Sequence, residues 1–529
     1  MPRQFAAPPD SPEITFLGHA GCLVRYRQTA LLCDPWLSEE GAFLHSWHQY
    51  PPNDFLDREA LYRADYLYIS HDHADHFDRP FLAGFPKDRV TVLVADFLSD
   101  YLARELEKLG FTRIVKLPDW EPFPLADGFT ATIIRDQSLF KMDSALVVEA
   151  GGRRFVDRND CHLSDEHRAR LRELGVDLLL SQFSGAMWYP AIYDYSPERR
   201  QEIAGELRAG LLTKFVERAN SIRPRHVVHA AGPPCFLDDE FLLQNSSRHG
   251  IFHDQLEVFD ELQARLEARL HLIAPEDRLT FGASGELEVE RTRPFDFSAK
   301  ERIIQRYREE RLPLIRKYLA SLPRPELGFM EQFKRHLGRL FGSSRLLRSR
   351  SNSLTRFEIC GEHGGTLYVD TRDDRFAIST GCTEAPSYEF FLDGPIARLL
   401  VDGVHHWEEV FLSMRFRARR NPDEYNWPLF ALLRYGHDPR LIRRIEETLT
   451  RAELAITRVR EDATVYTIQR YCPHSGEDLA HAPVRDGLLT CPRHRWCFDL
   501  RRDGECVRGG NIPLRVYDIH EDEEQEGEV

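Results

Sequence analysis

The chain has 529 residues, 42% hydrophobic and 29% charged, enough for roughly three or four cored domains. Its formal charge of −15 argues against nucleic acid as the main partner. No apolar run approaches the ~20 residues of a membrane span, and Met1-Pro-Arg-Gln-Phe5 lacks the basic-then-apolar order of a secretory signal. Ten cysteines without paired spacing do not read as a disulfide scaffold, so a reducing cytoplasm fits best.

From about residue 12 to 290, strand-like and helix-like stretches alternate, an α/β pattern. Ile14-Thr-Phe-Leu17 predicts a strand, Gly18-His19-Ala20-Gly21 a turn, and Cys22–Tyr26 and Ala30–Asp34 two more strands. Tyr66-Leu-Tyr-Ile-Ser70 is a short apolar β-rich run that leads straight into His71-Asp-His73-Ala-Asp75-His76. Leu98–Leu109 has helical period in Tyr101, Leu102, Leu106 and Leu109. Val176–Ser181 and His226–His229 read as buried strands.

The His71–His76 run carries the first chemistry. Residues two apart at a strand end point the same way, so His71 and His73 share a face, and Asp75 and His76 turn in from the following loop. Imidazole nitrogen with carboxylate oxygen suits zinc or iron(II). One metal would take His71 and His73, a second Asp75 and His76. The bland reading is a surface cluster capping a helix, but four candidate ligands in this order directly after an apolar strand disfavour it. The run resembles the metal loop of the metallo-β-lactamase fold.

Residues 291–345 look helical. A basic stretch through Lys334, Arg335, Arg339, Arg345, Arg348 and Arg350 reads as a solvated linker face, the sharper reading being a docking patch for an acidic redox partner. Residues 355–390 look β-rich and 395–450 helical. The last unit spans 451–522, and the acidic tail 523–529 reads as disordered.

Within that last unit, Cys472-Pro-His474 is followed at a distance by Cys491-Pro-Arg-His494. Cys472 and Cys491 as thiolates on one iron, with His474 and His494 on the other, form the ligand set of a Rieske [2Fe-2S] cluster. A structural zinc finger would group two cysteines and two histidines separately, whereas each loop here mixes one of each. The unit resembles the Rieske domains of ring-hydroxylating oxygenases and their ferredoxins. It lacks the second cysteine in the first loop that respiratory Rieske proteins carry, which implies a low-potential electron feeder.

Together these pieces resemble the CMP-N-acetylneuraminate hydroxylase family. The likeness rests on Asp34-Pro-Trp-Leu37, Tyr68–His76, Asp160-Cys161, Ser181-Gln-Phe-Ser184, Pro224-Arg225 and the stretch Trp407–Tyr425. It implies an αββα metallo-β-lactamase sandwich over 1–290, a helical and α+β middle region over 291–450, and an all-β Rieske domain at 451–522. In that family the Rieske unit comes first, and here it comes last. The resemblance places Asp160 as a bridging carboxylate. Where the fold has a third histidine, this chain has Asp136-Gln137-Ser138. For the last histidine, His229 and His271 compete, with His226 and His253 behind them, and His229 is carried as the ligand candidate.

The expected activity is a Rieske-dependent non-haem iron oxygenase. It would hydroxylate a small organic substrate, at carbon or nitrogen, with O2 and external electrons. A sugar nucleotide or a specialised metabolite is the expected substrate class. His71, His73, Asp75, His76 and Asp160 would form the catalytic metal site. No GxGxxG fingerprint occurs, so ferredoxin, cytochrome b5 or a flavin reductase with NAD(P)H would supply the electrons. Trp188, Tyr189 and Tyr193 read as pocket aromatics or as ordinary packing. Self-association is compatible with such an enzyme. The rival is a dinuclear zinc hydrolase, a lactonase or phosphodiesterase, with the Rieske unit as redox sensor. A third reading is oxygen reduction without an organic substrate.

Overall fold

A computed structural model describes residues 11–138, 142–373, 375–474, 476–492, 495–510 and 512–521. The chain divides into two compact units. The first comprises 1–137, 142–322 and 409–415; the second comprises 138–141, 323–408 and 416–529.

The first unit is a four-layer sandwich. One sheet orders its strands Leu287–Glu290, Arg278–Phe281, Glu13–Gly18, Gly21–Tyr26, Thr29–Cys33, Tyr66–Tyr68, Thr91–Ala95 and Ile114–Leu117. The other orders Arg269–His271, His226–Ala230, Leu178–Gln182, Arg153–Asp157, Ser144–Ala150, Phe129–Arg135 and Pro122–Ala126. Alternate residues explain the layers. In Ser144–Ala150, Leu146, Val148 and Ala150 face the core between the sheets. Ala145 and Val147 face the outer core with Leu212 and Phe215 of the long helix Pro197–Ile222. A second helical layer, including Arg79–Ala83 and Tyr101–Lys108, covers the first sheet through Phe81, Leu102 and Leu106. Strands buried on both faces need apolar residues at nearly every position. Each such side chain removed from water contributes roughly 1.5–3 kcal/mol.

Both sheets are parallel where it matters for function. Thr29–Cys33 pairs in parallel with Tyr66–Tyr68, and Arg153–Asp157 with Leu178–Gln182 and then His226–Ala230. Parallel strands gather their carboxyl ends on one edge, where open α/β sheets place their ligands. The residues after Cys33, Tyr68, Asp157 and Ala230 all emerge there.

The second unit holds a sheet ordered Ala377–Ser379, Gly365–Asp370, Leu354–Cys360, Tyr388–Asp393 and Arg417–Arg420. The expected linker is instead folded. Its basic residues ride on the helices Phe329–Gly342 and Arg345–Ser351, and the first buries Phe329, Phe333, Leu337, Leu340 and Phe341. A spacing of three and four apolar residues gives that helix a core-facing stripe, with the cations on the other face. The helix Lys300–Ser321 groups with the first unit, so that unit runs past the expected boundary at 290. The C-terminal part is two small antiparallel sheets, one of three strands and one of four. Among the described residues no helix is long and apolar enough to cross a membrane. The acidic tail 523–529 lies outside the described residues.

Candidate metal centres

At the carboxyl edge of the first unit, His71, Asp75, His76 and Asp160 come together, joined by His19. Two sets of possible ligand atoms, His19–Asp75–His76 and His71–His76–Asp160, each lie within 4.8 Å, and His76 belongs to both. His19, His71, Asp75, His76 and Asp160 are all buried. The His73 ring lies beside His71, with centroids 4.4 Å apart. Asp75 Oδ1 and His76 Nε2 are buried without a hydrogen-bond partner. Buried polar atoms of this kind are rare unless a ligand, ion or water completes them. Imidazole nitrogens and carboxylates converging on such atoms fit a divalent metal, one or two ions, with zinc and iron(II) both admitted by the donor set.

A shell of hydrogen bonds orients the ligands. Ser70 N donates to Asp34 Oδ1 at 2.8 Å, and Ser70 Oγ donates to Oδ2. His76 Nδ1 donates to the same Asp34 Oδ2 at 2.8 Å, which leaves Nε2 facing the cluster. With its amide nitrogen turned inward, Asn159 also donates to Asp34 Oδ2, at 3.1 Å. His71 Nδ1 lies 2.9 Å from Ser70 Oγ and 3.4 Å from Asp143 Oδ1. Gln182 Nε2 donates to Asp160 Oδ1 at 2.5 Å. Outer partners like these fix the tautomer and direction of metal-binding imidazoles.

Charge follows the geometry. Burial opposes ionisation of both Asp75 and His76. The His76 charge and the His19 hydrogen bond nevertheless hold the Asp75 carboxyl well below the usual range. Burial is likewise outweighed at His76, where Asp75 and the hydrogen bond to Asp34 raise the imidazole to about 10. A metal taken up through His76 Nε2 would compete with that proton. Asp157, beneath the site, is pushed well above the carboxylate range by burial and by Asp34.

Backbone strain marks the same edge. His19, Asp34, Asn159 and Ala231 all have left-handed φ, at 51°, 37°, 51° and 49°. Such conformations cost non-glycine residues roughly 1–2 kcal/mol each. They persist where surrounding contacts over-determine them, and they concentrate at functional sites.

His229 is not brought to this cluster. It lies on His226–Ala230 with Val227 on the helix-covered face, its ring 4.5 Å from Phe183 and 5.8 Å from Phe215. Burial and the neighbouring His253 lower it to about 3. His271 and His226 pair with each other at 3.0 Å, and His253 bonds the Arg208 carbonyl. Asp136, in the place of the third histidine, accepts from the His162 backbone at 3.0 Å. Trp188 packs on Phe411, with centroids 5.0 Å apart, and Tyr193 stacks on Tyr195 at 5.8 Å. Sequence reasoning passed over His19 as a ligand candidate and missed Asp143 as a support; the turn Gly18-His19-Ala20 was the available signal for the first.

In the second unit, Cys472, His474 and Cys491 are buried on two loops, while His494 lies outside the described residues. Cys472 N donates to Glu477 O and Cys491 N to Trp496 O, each at 2.8 Å, which closes both loops. The His474 ring of the first loop stacks on Trp496 of the second, at 4.1 Å and 2°. That contact turns the loops toward each other, as a cluster held by both requires. Tyr425 meets the His474 ring edge-on at 6.2 Å.

Fold and sites define a metallo-β-lactamase-fold protein with an appended Rieske domain. Residues 29–213 match the Beta-lactamase superfamily domain, and residues 438–517 match the Rieske [2Fe-2S] domain. The expected fold class is thereby met. A Mycolicibacterium smegmatis protein described as a Rieske 2Fe-2S iron-sulfur protein is 28% identical over 96% of this chain and all of its own length. The cytidine monophosphate-N-acetylneuraminic acid hydroxylase of Danio rerio is 28% identical over 41% of this chain and 38% of its own. The solved structure of CmlA, a diiron β-hydroxylase from Streptomyces venezuelae, aligns at a TM-score of 0.34 and 19% identity. It covers 52% of this chain and 55% of that one.

Proposed function

We propose that this chain is a Rieske-dependent non-haem iron oxygenase acting on a small organic substrate. The carrying observation is the pairing, in one chain, of an electron-transfer domain with a buried His/Asp cluster in which Asp75 Oδ1 and His76 Nε2 have no hydrogen-bond partner. A hydrolase has no need of an electron carrier. When bound, iron in that cluster would supply the redox chemistry for dioxygen activation, with electrons delivered through the [2Fe-2S] centre.

The protein's own residues provide placement. His19, His71, Asp75, His76 and Asp160 are the ligand candidates, with His73 at their edge. Asp34 holds the Nδ1 proton of His76, and Ser70 with Asp143 orients His71. Gln182 fixes the Asp160 oxygen that lies 4.0 Å from His76 Nε2. Cys472 and Cys491, with His474 and His494, would hold the iron–sulfur pair. The electron source is an external reductase chain, and a reducing, cytoplasmic setting suits cysteines whose spacing shows no disulfide framework. A sugar nucleotide is one candidate substrate class, suggested by the named activity of the Danio rerio relative.

The test is the iron, zinc and acid-labile sulfide content of protein purified without air. Iron in excess of the sulfide-bound pair, with little zinc, supports the oxygenase. Iron matched to sulfide, with stoichiometric zinc besides, moves the assignment to a hydrolase with a redox appendage. Hydrolysis that survives loss of the cluster in Cys472→Ser would also overturn the oxygenase.

A further inference from the structure

A cavity of about 490 Å³ lies between the segment after Leu37 and the second half of the helix Lys300–Ser321. Its volume is within the usual range for small-molecule sites. The walls carry more unpaired positive than negative charge, although the chain as a whole has a net charge of −15. Arg311, only 6% exposed in its side chain, is committed to Glu39 and Asp54 and donates to Glu39 O at 2.7 Å. Among the described residues Arg58 bonds only the Leu37 carbonyl, at 2.8 Å. Neither Arg58 nor Lys317 has a carboxylate partner among the described residues, and Glu40 is the one lining carboxylate left to oppose them.

His48 is 1% exposed and lies 3.3 Å from the His45 carbonyl through Nε2. Burial and Arg311 depress its imidazole to about 3, so it adds no charge to the wall. One further feature marks the cavity as built for a ligand.

The wall residue His45 ends a run of three consecutive left-handed residues, Phe43, Leu44 and His45, at φ 49°, 55° and 59°. This is one turn of left-handed helix, closed by Ser46 N donating to Ala42 O at 3.0 Å. It costs roughly 1–2 kcal/mol per residue. Arg415 locks it by donating to Leu44 O at 2.9 Å, and Trp47 Nε1 does so through Leu412 O at 2.8 Å. The product of that strain is a His45 ring laid flat on Tyr318, 3.7 Å away, as a fixed cavity wall. Strain held this firmly is a signature of ligand sites.

We propose that the cavity binds a small organic anion, presenting a carboxylate or phosphate to Arg58 and Lys317. The site is distinct from the His/Asp cluster, and the proposal does not depend on which metal that cluster holds.

Isothermal titration of the full-length, metal-loaded protein at low ionic strength tests it. Citrate and glucose 6-phosphate serve as probes and separate a carboxylate from a phosphate. Saturable one-to-one binding of at least one probe is expected, weakened roughly tenfold in Lys317→Glu. Arg443→Glu changes the net charge equally at an exposed residue outside the cavity and is expected to leave binding unchanged. Absence of saturable binding for both probes, or equal weakening in the two variants, would overturn the proposal.

Discussion

Asp34→Asn isolates the support of His76, the ligand candidate shared by both sets. In the native protein Oδ2 accepts from His76 Nδ1 at 2.8 Å and from Ser70 Oγ, while Oδ1 accepts from Ser70 N at 2.8 Å. An amide has one acceptor where the carboxylate had two. If its oxygen stays on the His76 side, its NH2 faces the Ser70 N–H. If it turns round, its NH2 faces His76 Nδ1–H, and relief requires moving the imidazole proton to Nε2, the atom aimed at the cluster. Either arrangement leaves a buried donor unsatisfied or spoils a ligand, at about 1–3 kcal/mol. Metal affinity should fall 10–100-fold, or roughly 1.4–2.7 kcal/mol. Anaerobic chelator competition with Fe(II) measures it. Acid-labile sulfide should stay at the wild-type level, because Cys472 and Cys491 lie in the other unit. A folded Asp34→Asn protein that holds iron as tightly as wild type would refute the reasoning.

Gln182→Ala frees Asp160 Oδ1 and should weaken or alter metal binding by a smaller factor, roughly tenfold, visible in the same competition assay. His229 is buried neutral, and its pKa falls from an ordinary 6.5 to about 3 on folding. The unfolded chain therefore binds the extra proton between those values, so stability is lost as pH falls below 6.5. His229→Leu should flatten the denaturation slope there by up to about 1.4 kcal/mol per pH unit; identical slopes would contradict the burial argument. Gly510→Ala places a Cβ against the Trp496 ring, which is itself stacked on His474. Its Rieske signal in electron paramagnetic resonance should shift or be lost while far-UV circular dichroism is kept, and an unchanged signal would show that the stack does not support the cluster.

The motif His71–His76 was legible because it is local. A strand ends at Tyr68, and one short turn brings four candidate ligands to one edge, whatever the rest of the chain does. The two Cys–x–His-type loops were legible for the same reason. The alternating core strands and the charge-free apolar runs likewise identified an α/β unit. His19, marked only by its turn Gly18-His19-Ala20, and Asp34 stand outside that run. His19 reaches Asp75 across 56 positions because the hairpin Glu13–Gly18 and Gly21–Tyr26 turns at that edge. Asp34 reaches His76 across 42 positions because Thr29–Cys33 pairs in parallel with Tyr66–Tyr68.

His229 shows where local reading fails. In His226–Ala230 every residue is buried, so no polar alternation tells which face is which. Only the packing of Val228 between the sheets and Val227 under the helices turns His229 away from the cluster. The basic stretch before residue 351 has a similar ambiguity: its cations are plain in sequence, but the burial of Phe333 and Leu337 depends on neighbours supplied by the fold. The sequence alone thus determined the donor chemistry of both centres, because ligand type and short spacing are local properties. Which buried histidines join the candidate metal cluster, and which carboxylate aims them, was decided by strand parity and parallel pairing, which exist only once distant segments have packed.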